Sequence, residues 1–277
     1  MLKPNFLFIG ADKTGSTWLY QLLRQHPNVY VPNIKDVYFF DRYYDKGLDW
    51  YSALFSGAPV DALAIGELSH DYLYSSQAAA RIAKDLPNVK LIVTLRNPIQ
   101  RSFSHYLYLR RGGKTQGSFH QAAKALPEII DHSIYAPNLA KYFQLFDASQ
   151  IKVVTFDKLK SDPEGYAKEI LSFLDVDFMP DYPYHEDVLV AAKPRSFIVS
   201  RVVKAVANIA RRLGLPQLVG AVKYSKLRNL VFSPYEKGSL PQMDDSLKEE
   251  LIEIFEDDVS VLEKMLHIDL SHWLKIL

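Results

Sequence analysis

The chain has 277 residues with no cysteine, a formal net charge of +1, and 48% hydrophobic and 23% charged residues. The lack of cysteine excludes disulfides, thiolate metal sites and a cysteine nucleophile. A net charge near zero gives no overall field that would attract nucleic acid, so nucleic acid is not expected as a partner. No uninterrupted apolar run approaches the length of about 18 residues that a membrane span needs, and no signal-peptide pattern opens the sequence. We therefore expect a cytoplasmic globular protein.

Apolar runs typical of strands alternate along the chain with stretches of helical periodicity. Strands are predicted at 6–9, 63–65, 89–95 and 151–156. Helices are predicted near 16–25, 75–86, 99–110, 138–146, 163–174 and 244–266. This alternation indicates βαβ units, and so it predicts an α/β fold: a single domain over 1–277 with a central, mainly parallel sheet flanked by helices.

The most informative segment is the turn after the first strand, which runs from Gly10 to Trp18. A strand, a tight turn and a helix N-terminus direct several backbone N–H groups at one point, which suits a phosphate. Nucleotide-binding loops read G-x-x-x-x-G-K-[ST], with the lysine after the second glycine. Here Gly15 keeps the spacing, but Ser16 occupies the lysine position and Lys13 lies inside the turn. The segment predicts a P-loop-like anion cradle with a differently aimed cation and no need for a metal.

A second polar cluster follows the strand predicted at 89–95. Arg96 stands at the strand end, Pro98 opens a helix, and Ser104 comes two turns into that helix. Ligands of parallel sheets bind at the carboxyl ends of strands, often beside a helix start. Arg96 and Ser104 are therefore placed to converge on a second anion. An ion-pairing arginine and an ordinary helical serine would give the same pattern.

One segment differs from the rest in charge. Between Val188 and Tyr235 there are nine Lys or Arg residues and no Asp or Glu. We interpret 188–235 as a basic helical insertion within the domain. Its charges either lie in water while the segment packs on the domain, or form a surface at 195–228 for an acidic polymer or a membrane.

Five motifs follow one another in a family-specific order. They are Lys13-Thr-Gly-Ser-Thr-Trp18, Lys35-Asp-Val-Tyr-Phe-Phe-Asp41, Arg96-Asn-Pro-x-x-Arg-x-x-Ser104, Tyr235-Glu-Lys-Gly-Ser239 and Asp269-Leu-Ser-His-Trp273. With these motifs the chain resembles the sulfotransferases that use 3′-phosphoadenosine 5′-phosphosulfate (PAPS). The likeness is closest to the heparan-sulfate sulfotransferase branch and its bacterial relatives. It covers nearly the whole length apart from the basic insertion.

The resemblance implies roles for individual residues, with PAPS as co-substrate and no metal. The 5′-phosphosulfate would be held by Lys13, Thr14, Gly15, Ser16, Thr17 and Trp18. The 3′-phosphate would be bound by Arg96 and Ser104, with a loop formed by Lys237, Gly238 and Ser239 folded over the same end. Because a fixed cation stabilises the charge that develops on the leaving phosphate, Lys13 would also be catalytic.

Two residues compete for the role of general base, which removes the acceptor's proton. Asp36 stands where the heparan branch has a glutamate, one methylene longer, and Tyr38 replaces a histidine of some relatives. His70 ends a Leu68-Ser-His segment, where the cytosolic steroid and phenol enzymes have Lys-Thr-His and use the histidine as base. An imidazole, with an ordinary pKa of about 6.5, suits proton abstraction near neutrality. We therefore favour His70, with Asp36 as the alternative.

Both candidates also have structural interpretations. His70 could be a turn residue bonded to Asp71 or to the backbone, and Asp36 could cap a helix or pair with Lys35. The preceding acid, Glu67, is expected to orient a neighbouring group and not to react. The aromatic-rich stretch 41–51 suits either contact with a sugar acceptor or a packed surface loop.

The sequence thus predicts a sulfotransferase that moves a sulfuryl group from PAPS to a hydroxyl, in preference to an amine. Its acceptor would be a glycan, a glycolipid or another small molecule, with 195–228 offering peripheral membrane contact. Two alternatives stay open: a non-catalytic protein that binds a 3′-phosphonucleotide or an acidic polymer, and an atypical P-loop kinase. The kinase would need the lysine that Ser16 replaces.

Overall fold

The computed structural model describes residues 2–186 and 242–275, the segments 192–194 and 232–234, and positions 202, 203, 205, 206 and 209. The chain divides into two units, one of Met1–Asn97 with Pro137–Val188 and one of Pro98–Ala136 with Leu189–Leu277. The predicted loop Lys237–Gly238–Ser239 and most of 188–235 lie outside the described residues. The single domain over 1–277 with its insertion therefore stays a prediction.

The first unit is built on a five-stranded sheet in which every pairing is parallel. The strands are β1 (Phe6–Gly10), β2 (Val29–Tyr30), β3 (Ala64–Leu68), β4 (Lys90–Leu95) and β5 (Ile151–Thr155), in the spatial order β2-β3-β1-β4-β5. Strands β1 and β3 are buried along their whole length, as expected for a parallel sheet covered on both faces. The predicted parallel α/β fold is confirmed.

The described residues of the two units also form helices. In chain order they are α1 (Ser16–Gln25), α2 (Phe39–Arg42), α3 (Gly47–Ala53), α4 (Ala78–Asp85), α5 (Pro98–Arg111), α6 (Phe119–Ala125), α7 (Glu128–Asp131), α8 (Ala136–Phe143), α9 (Phe156–Ser161), α10 (Pro163–Phe173) and α11 (Asp245–Leu266). Local sequence signals explain where several of these helices begin. For example, α10 opens with Pro163 at its first position, and the side chain of Asp162 accepts a hydrogen bond from the Gly165 amide at 2.8 Å. No described helix has the length and apolar character that crossing a bilayer requires.

The region after the second predicted strand differs from expectation. The strand predicted at 63–65 runs from Ala64 to Leu68, so Glu67 lies inside the sheet, whereas Leu63 is 57% exposed. The helix predicted at 75–86 begins only at Ala78, because a 3₁₀ turn at His70–Tyr74 comes first. These shifts place His70 and Tyr72 in one tight turn directly beyond the β3 end.

The second unit has its own apolar core. It is formed by Ile99, Tyr106, Leu109, Phe119, Ala122 and Ile129 together with Leu247, Leu251 and Phe255 of α11. Arg101 of the Arg96-to-Ser104 motif is fully buried there, and its guanidinium donates to the carbonyl oxygens of Glu128 and Ile129 and to the Ser133 hydroxyl. This arginine therefore fixes α5 to α7, which gives it a structural role. A short antiparallel pair, β6 (Ala192–Pro194) with β7 (Phe232–Pro234), belongs to the same unit.

Candidate active site

Three neighbouring strands of the first unit end in the residues that the sequence singled out. Strand β1 lies between β3 and β4, and all three run parallel. Their carboxyl ends therefore share one edge of the sheet, the edge at which ligands of such sheets bind. The turn with Lys13 follows β1, His70 follows β3 by two residues, and Arg96 follows β4 directly.

The turn after β1 is held in a tight conformation. Lys13 and Gly15 both have positive φ, 65° and 82°, and the Thr14 hydroxyl donates to the Ala11 carbonyl oxygen at 2.7 Å. A Cβ on Gly15 would lie 2.4 Å from Leu159 Cδ2, so α9 leaves no room for a side chain there. A residue other than glycine would suffer both the strain and the clash.

Helix α1 starts at the end of this turn with its N-terminus open. Ser16, Thr17 and Trp18 form its first turn, and within the described chain no side chain caps it and no acid occupies that turn. The amides and the positive end of the helix dipole thus favour an anion at this point. The Trp18 ring packs edge-on to Tyr166, with ring centroids 5.8 Å apart.

Arg96, which follows β4, contacts the turn that follows β1. Its Nη1 donates to the Lys13 carbonyl oxygen at 3.0 Å, and its guanidinium lies 4.7 Å from the centroid of the Phe156 ring. The Ala11 amide donates to the Thr94 carbonyl oxygen at 2.9 Å, a second tie between the turn and β4. Ser104 is partly buried on α5 in the other unit. The convergence of Arg96 and Ser104 on one phosphate stays a prediction.

The two candidate bases are hydrogen-bonded to each other. His70 Nδ1 lies 2.8 Å from Asp36 Oδ1, and the same oxygen accepts from Lys35 Nζ at 2.9 Å. Asp36 has a positive φ of 68°, and its amide donates to the Leu68 carbonyl oxygen at 2.8 Å, so its segment is fixed beside β3. The side chain of Asp36 is 7% exposed and that of His70 is 21% exposed. The imidazole is thus the more accessible member of a histidine–carboxylate pair.

The other nitrogen of His70 faces two further groups. His70 Nε2 lies 3.2 Å from Asp71 Oδ1 and 3.4 Å from the Tyr38 hydroxyl oxygen. Burial by itself would lower the pKa of His70, but the carboxylates of Asp36 and Asp71 more than offset this and raise its pKa above the ordinary value. The contact between His70 and Asp71 that the structural interpretation predicted is therefore present. His70 contacts Asp36 at the same time.

Glu67, a fully buried acid, lies close to the pair formed by Asp36 and His70. Both carboxylate oxygens of Glu67 accept hydrogen bonds, Oε1 from the Tyr72 hydroxyl at 2.6 Å and Oε2 from the Ser69 hydroxyl at 2.7 Å. Burial raises the pKa of Glu67 to about 7, with Asp36 and Asp41 adding to the shift and the two hydroxyl bonds opposing it. Sequence reasoning identified Glu67 but missed Ser69 and Tyr72, for which no motif exists.

An exposed arginine borders the same region. The Arg42 guanidinium lies 4.0 Å from the centroid of the Tyr38 ring and pairs with Asp71 and Asp41. Burial raises the pKa of Asp41 to about 6, although Arg42 pulls it down.

The aromatic stretch 41–51 is partly packed against the protein and partly exposed. Phe39 stacks on Tyr51 with ring centroids 4.3 Å apart, and Tyr51 is fully buried. Trp50 is partly exposed, with Lys46 Nζ 5.3 Å from its ring centroid. Contact of this stretch with an acceptor stays a prediction. Among the residues that the structure describes, no group of three or more His, Asp or Glu side chains could hold a metal ion.

Comparison with known proteins decides the class of this site. The family described as "Sulfotransferase domain" matches residues 3–265, nearly the whole chain. The chain belongs to this sulfotransferase family. It is accordingly a transferase of the sulfotransferase type, as the motifs from Lys13 onwards predicted.

Two relatives and one solved structure show what this sulfotransferase is similar to. It is 32% identical over 181 residues to mouse heparan sulfate glucosamine 3-O-sulfotransferase 6, with 62% of this chain and 52% of the relative covered. It is 30% identical over 206 residues to human bifunctional heparan sulfate N-deacetylase/N-sulfotransferase 3, with 66% and 23% covered. The crystal structure of a sulfotransferase from Alicyclobacillus acidocaldarius covers 99% of this chain and 100% of its own, with 25% identity and a TM-score of 0.72. The chain thus matches about a quarter to a half of the length of these curated relatives.

Proposed function

We propose that this sulfotransferase transfers the sulfuryl group of PAPS to a hydroxyl group, with His70 as the general base. The observation that carries the proposal is the arrangement of two adjacent strand ends. A turn that contains Lys13 and leads into the start of α1, which has no side-chain cap, follows β1, and a histidine hydrogen-bonded to a carboxylate follows the neighbouring β3. A donor cradle beside a proton acceptor is what a group transfer to a hydroxyl requires.

The donor side would be held by the turn and the start of α1. Thr14, Gly15, Ser16, Thr17 and Trp18 form the cradle, and the charge of Lys13 would stabilise negative charge on the leaving phosphate oxygen. The lack of an acid in the first turn of α1 and the missing side chain at Gly15 both fit a phosphosulfate. Arg96 and Ser104, with Lys237, Gly238 and Ser239, would bind the 3′-phosphate.

On the acceptor side, His70 would take the proton of the hydroxyl through Nε2. Asp36 keeps the imidazole oriented by accepting from Nδ1, and it stabilises the imidazolium that forms. The acceptor oxygen forms a bond to sulfur as the bond from sulfur to the bridging phosphate oxygen breaks, which leaves adenosine 3′,5′-bisphosphate. We thus assign Asp36 to orientation and His70 to proton transfer.

For the acceptor we propose a carbohydrate-containing molecule. The relatives named above are heparan sulfate O- and N-sulfotransferases, and hydroxyl groups are the common acceptors in sugars. Because hydroxyl groups outnumber amines in sugars, we rank the hydroxyl above the amine.

Isothermal titration with adenosine 3′,5′-bisphosphate and a transfer assay from radiolabelled PAPS to a panel of glycan and glycolipid acceptors test the proposal. We expect saturable binding of the nucleotide and transfer that persists in excess EDTA. Binding with no transfer to any acceptor would indicate a non-catalytic nucleotide-binding protein. Strict dependence on Mg²⁺ with ATP as the better donor would indicate a kinase.

Replacing Asp71 with asparagine is expected to shift the pH dependence of transfer. The carboxylate of Asp71 helps to raise the pKa of His70, and only the neutral imidazole can accept a proton. The acid limb of the kcat/KM profile should therefore move to lower pH in Asp71→Asn, with the plateau changed by less than about threefold. Asp181→Asn, at an exposed aspartate of the same unit, is the matched control. An unmoved acid limb would show that His70 is not the titrating base.

A further inference from the structure

We propose that Glu67 is a positioning residue that holds the segment carrying Asp36 and Tyr38 in register with His70. The proposal rests on the function proposed above, because it assigns a purpose to a group beneath the same base. Among the described residues, Glu67 is hydrogen-bonded to Tyr51, Ser69 and Tyr72 and not to the imidazole, so its action would pass through Ser69 and Tyr72.

Two hydrogen-bonded relays lead from Glu67 to consecutive backbone amides. In the first, the Ser69 hydroxyl donates to Glu67 Oε2 at 2.7 Å and accepts from the Tyr38 amide at 2.9 Å. In the second, the Tyr72 hydroxyl donates to Glu67 Oε1 at 2.6 Å and accepts from the Phe39 amide at 2.9 Å. One side chain of β3 thus fixes two successive peptide groups of another segment.

The carboxylate of Glu67 determines the direction of hydrogen-bond donation in both relays. Above about pH 7, where Glu67 is ionised, its carboxyl only accepts hydrogen bonds, so each hydroxyl must turn its hydrogen toward Glu67 and its lone pairs toward the amide. A glutamine has one accepting oxygen and one donating nitrogen. It can therefore sustain one relay but forces the hydroxyl of the other to give up its donation. The two relays need the acid and not merely a polar side chain of that shape.

The segment that the relays fix contacts both ring nitrogens of His70. Asp36 reaches His70 Nδ1, and Tyr38 reaches the neighbourhood of Nε2. Asp36 and Tyr38 both have positive φ, 68° and 58°, a conformation that costs free energy for residues other than glycine. Such a backbone persists only where its surroundings determine it, and the two relays end at Tyr38 and Phe39, beside Asp36.

The groups that face Glu67 come from several elements. They are Tyr51 of α3, whose hydroxyl lies 3.4 Å from Oε1, Tyr72 of the 3₁₀ turn, Ser69, and the more distant carboxylates of Asp36 and Asp41. Within the described part of the chain, the hydrogen-bond partners of Glu67 are hydroxyl groups and not cations. A purely structural acid could have been replaced by an uncharged group at lower cost of burial. This supports a role in the site.

The test compares Glu67→Gln with Glu164→Gln, a control at a half-exposed glutamate of the same unit. The readouts are thermal unfolding, the titration of the His70 imidazole by NMR, binding of adenosine 3′,5′-bisphosphate, and kcat/KM for transfer. We expect Glu67→Gln to stay folded and bind the nucleotide normally. Its His70 pKa should fall as the contact to Asp36 loosens, and kcat/KM should drop by about 10-fold to 100-fold.

Normal His70 titration and normal kcat/KM in Glu67→Gln would overturn the proposal. If that variant does not fold, Ser69→Ala and Tyr72→Phe each remove one relay and answer the same question, since each should lower the His70 pKa and kcat/KM. Because the NMR titration needs no acceptor, it reports on Glu67 even if wild-type protein transfers no sulfuryl group. Failure of the proposed function and failure of the positioning role are therefore distinguishable.

Discussion

Replacing Lys13 with alanine is expected to lower kcat/KM by at least about 10²-fold without unfolding the protein, because a well-placed charge on the leaving oxygen contributes roughly 3–4 kcal/mol to the transition state. Alanine keeps a Cβ, so the positive φ of 65° at this position is no more strained than before. The Thr14 and Arg96 bonds to the turn involve backbone oxygens at Ala11 and Lys13 and should survive. The loss should therefore come from the missing ammonium group.

The measurement is a steady-state transfer assay with PAPS, accompanied by circular dichroism. Lys84→Ala, which removes an exposed lysine of α4, serves as the matched control and should transfer at the wild-type rate. Near-normal turnover in Lys13→Ala would remove this lysine from the catalytic machinery.

Replacing His70 with alanine is expected to reduce kcat/KM by about 10²-fold to 10³-fold, within the range typical of a lost general base. The acid limb of the pH profile should disappear with it. His185→Ala, at a histidine whose side chain is 77% exposed, is the control. We expect Asp36→Asn to be less damaging than His70→Ala, because the asparagine oxygen can still accept from Nδ1. The reverse order would transfer the role of base to Asp36.

The Asp36→Asn substitution is also expected to lower stability, because Asp36 neutralises a buried lysine. The Lys35 side chain is 5% exposed and pairs with Asp36 Oδ1 at 2.9 Å. Removing one partner of such a pair costs about 3–5 kcal/mol of stability. The double variant Lys35→Met/Asp36→Asn removes both charges, so it keeps the comparison with His70→Ala meaningful if the single variant unfolds.

The sequence alone was sufficient for the parallel sheet and the long helices. Alternating apolar runs located four of the five strands of the main sheet, and helix α1 was predicted with its observed bounds at Ser16–Gln25. Strand β2 has only two residues, Val29 and Tyr30, and so it carries no detectable period. The short helices α2, α3, α6, α7 and α9 were missed for the same reason.

The contact between the two candidate bases was not predictable from the sequence. Asp36 and His70 stand 34 positions apart, and from the sequence they were two rivals for one role. The structure brings their side chains within 2.8 Å, and the function proposed above therefore gives them complementary roles. The backbone at Asp36 and Tyr38 explains why this contact was not foreseeable. Both residues adopt positive φ at positions where no glycine signals a turn.

The meeting of positions 36, 38 and 70 has a consequence for the evolution of such enzymes. Their side chains come from two separate stretches of backbone, yet they reach the same few ångströms around one imidazole. Under the function proposed above, a proton acceptor on either stretch would reach the same place without a change in the path of the chain. An alignment that compares one position at a time would classify such a protein as inactive, although a residue at a different position supplied the base.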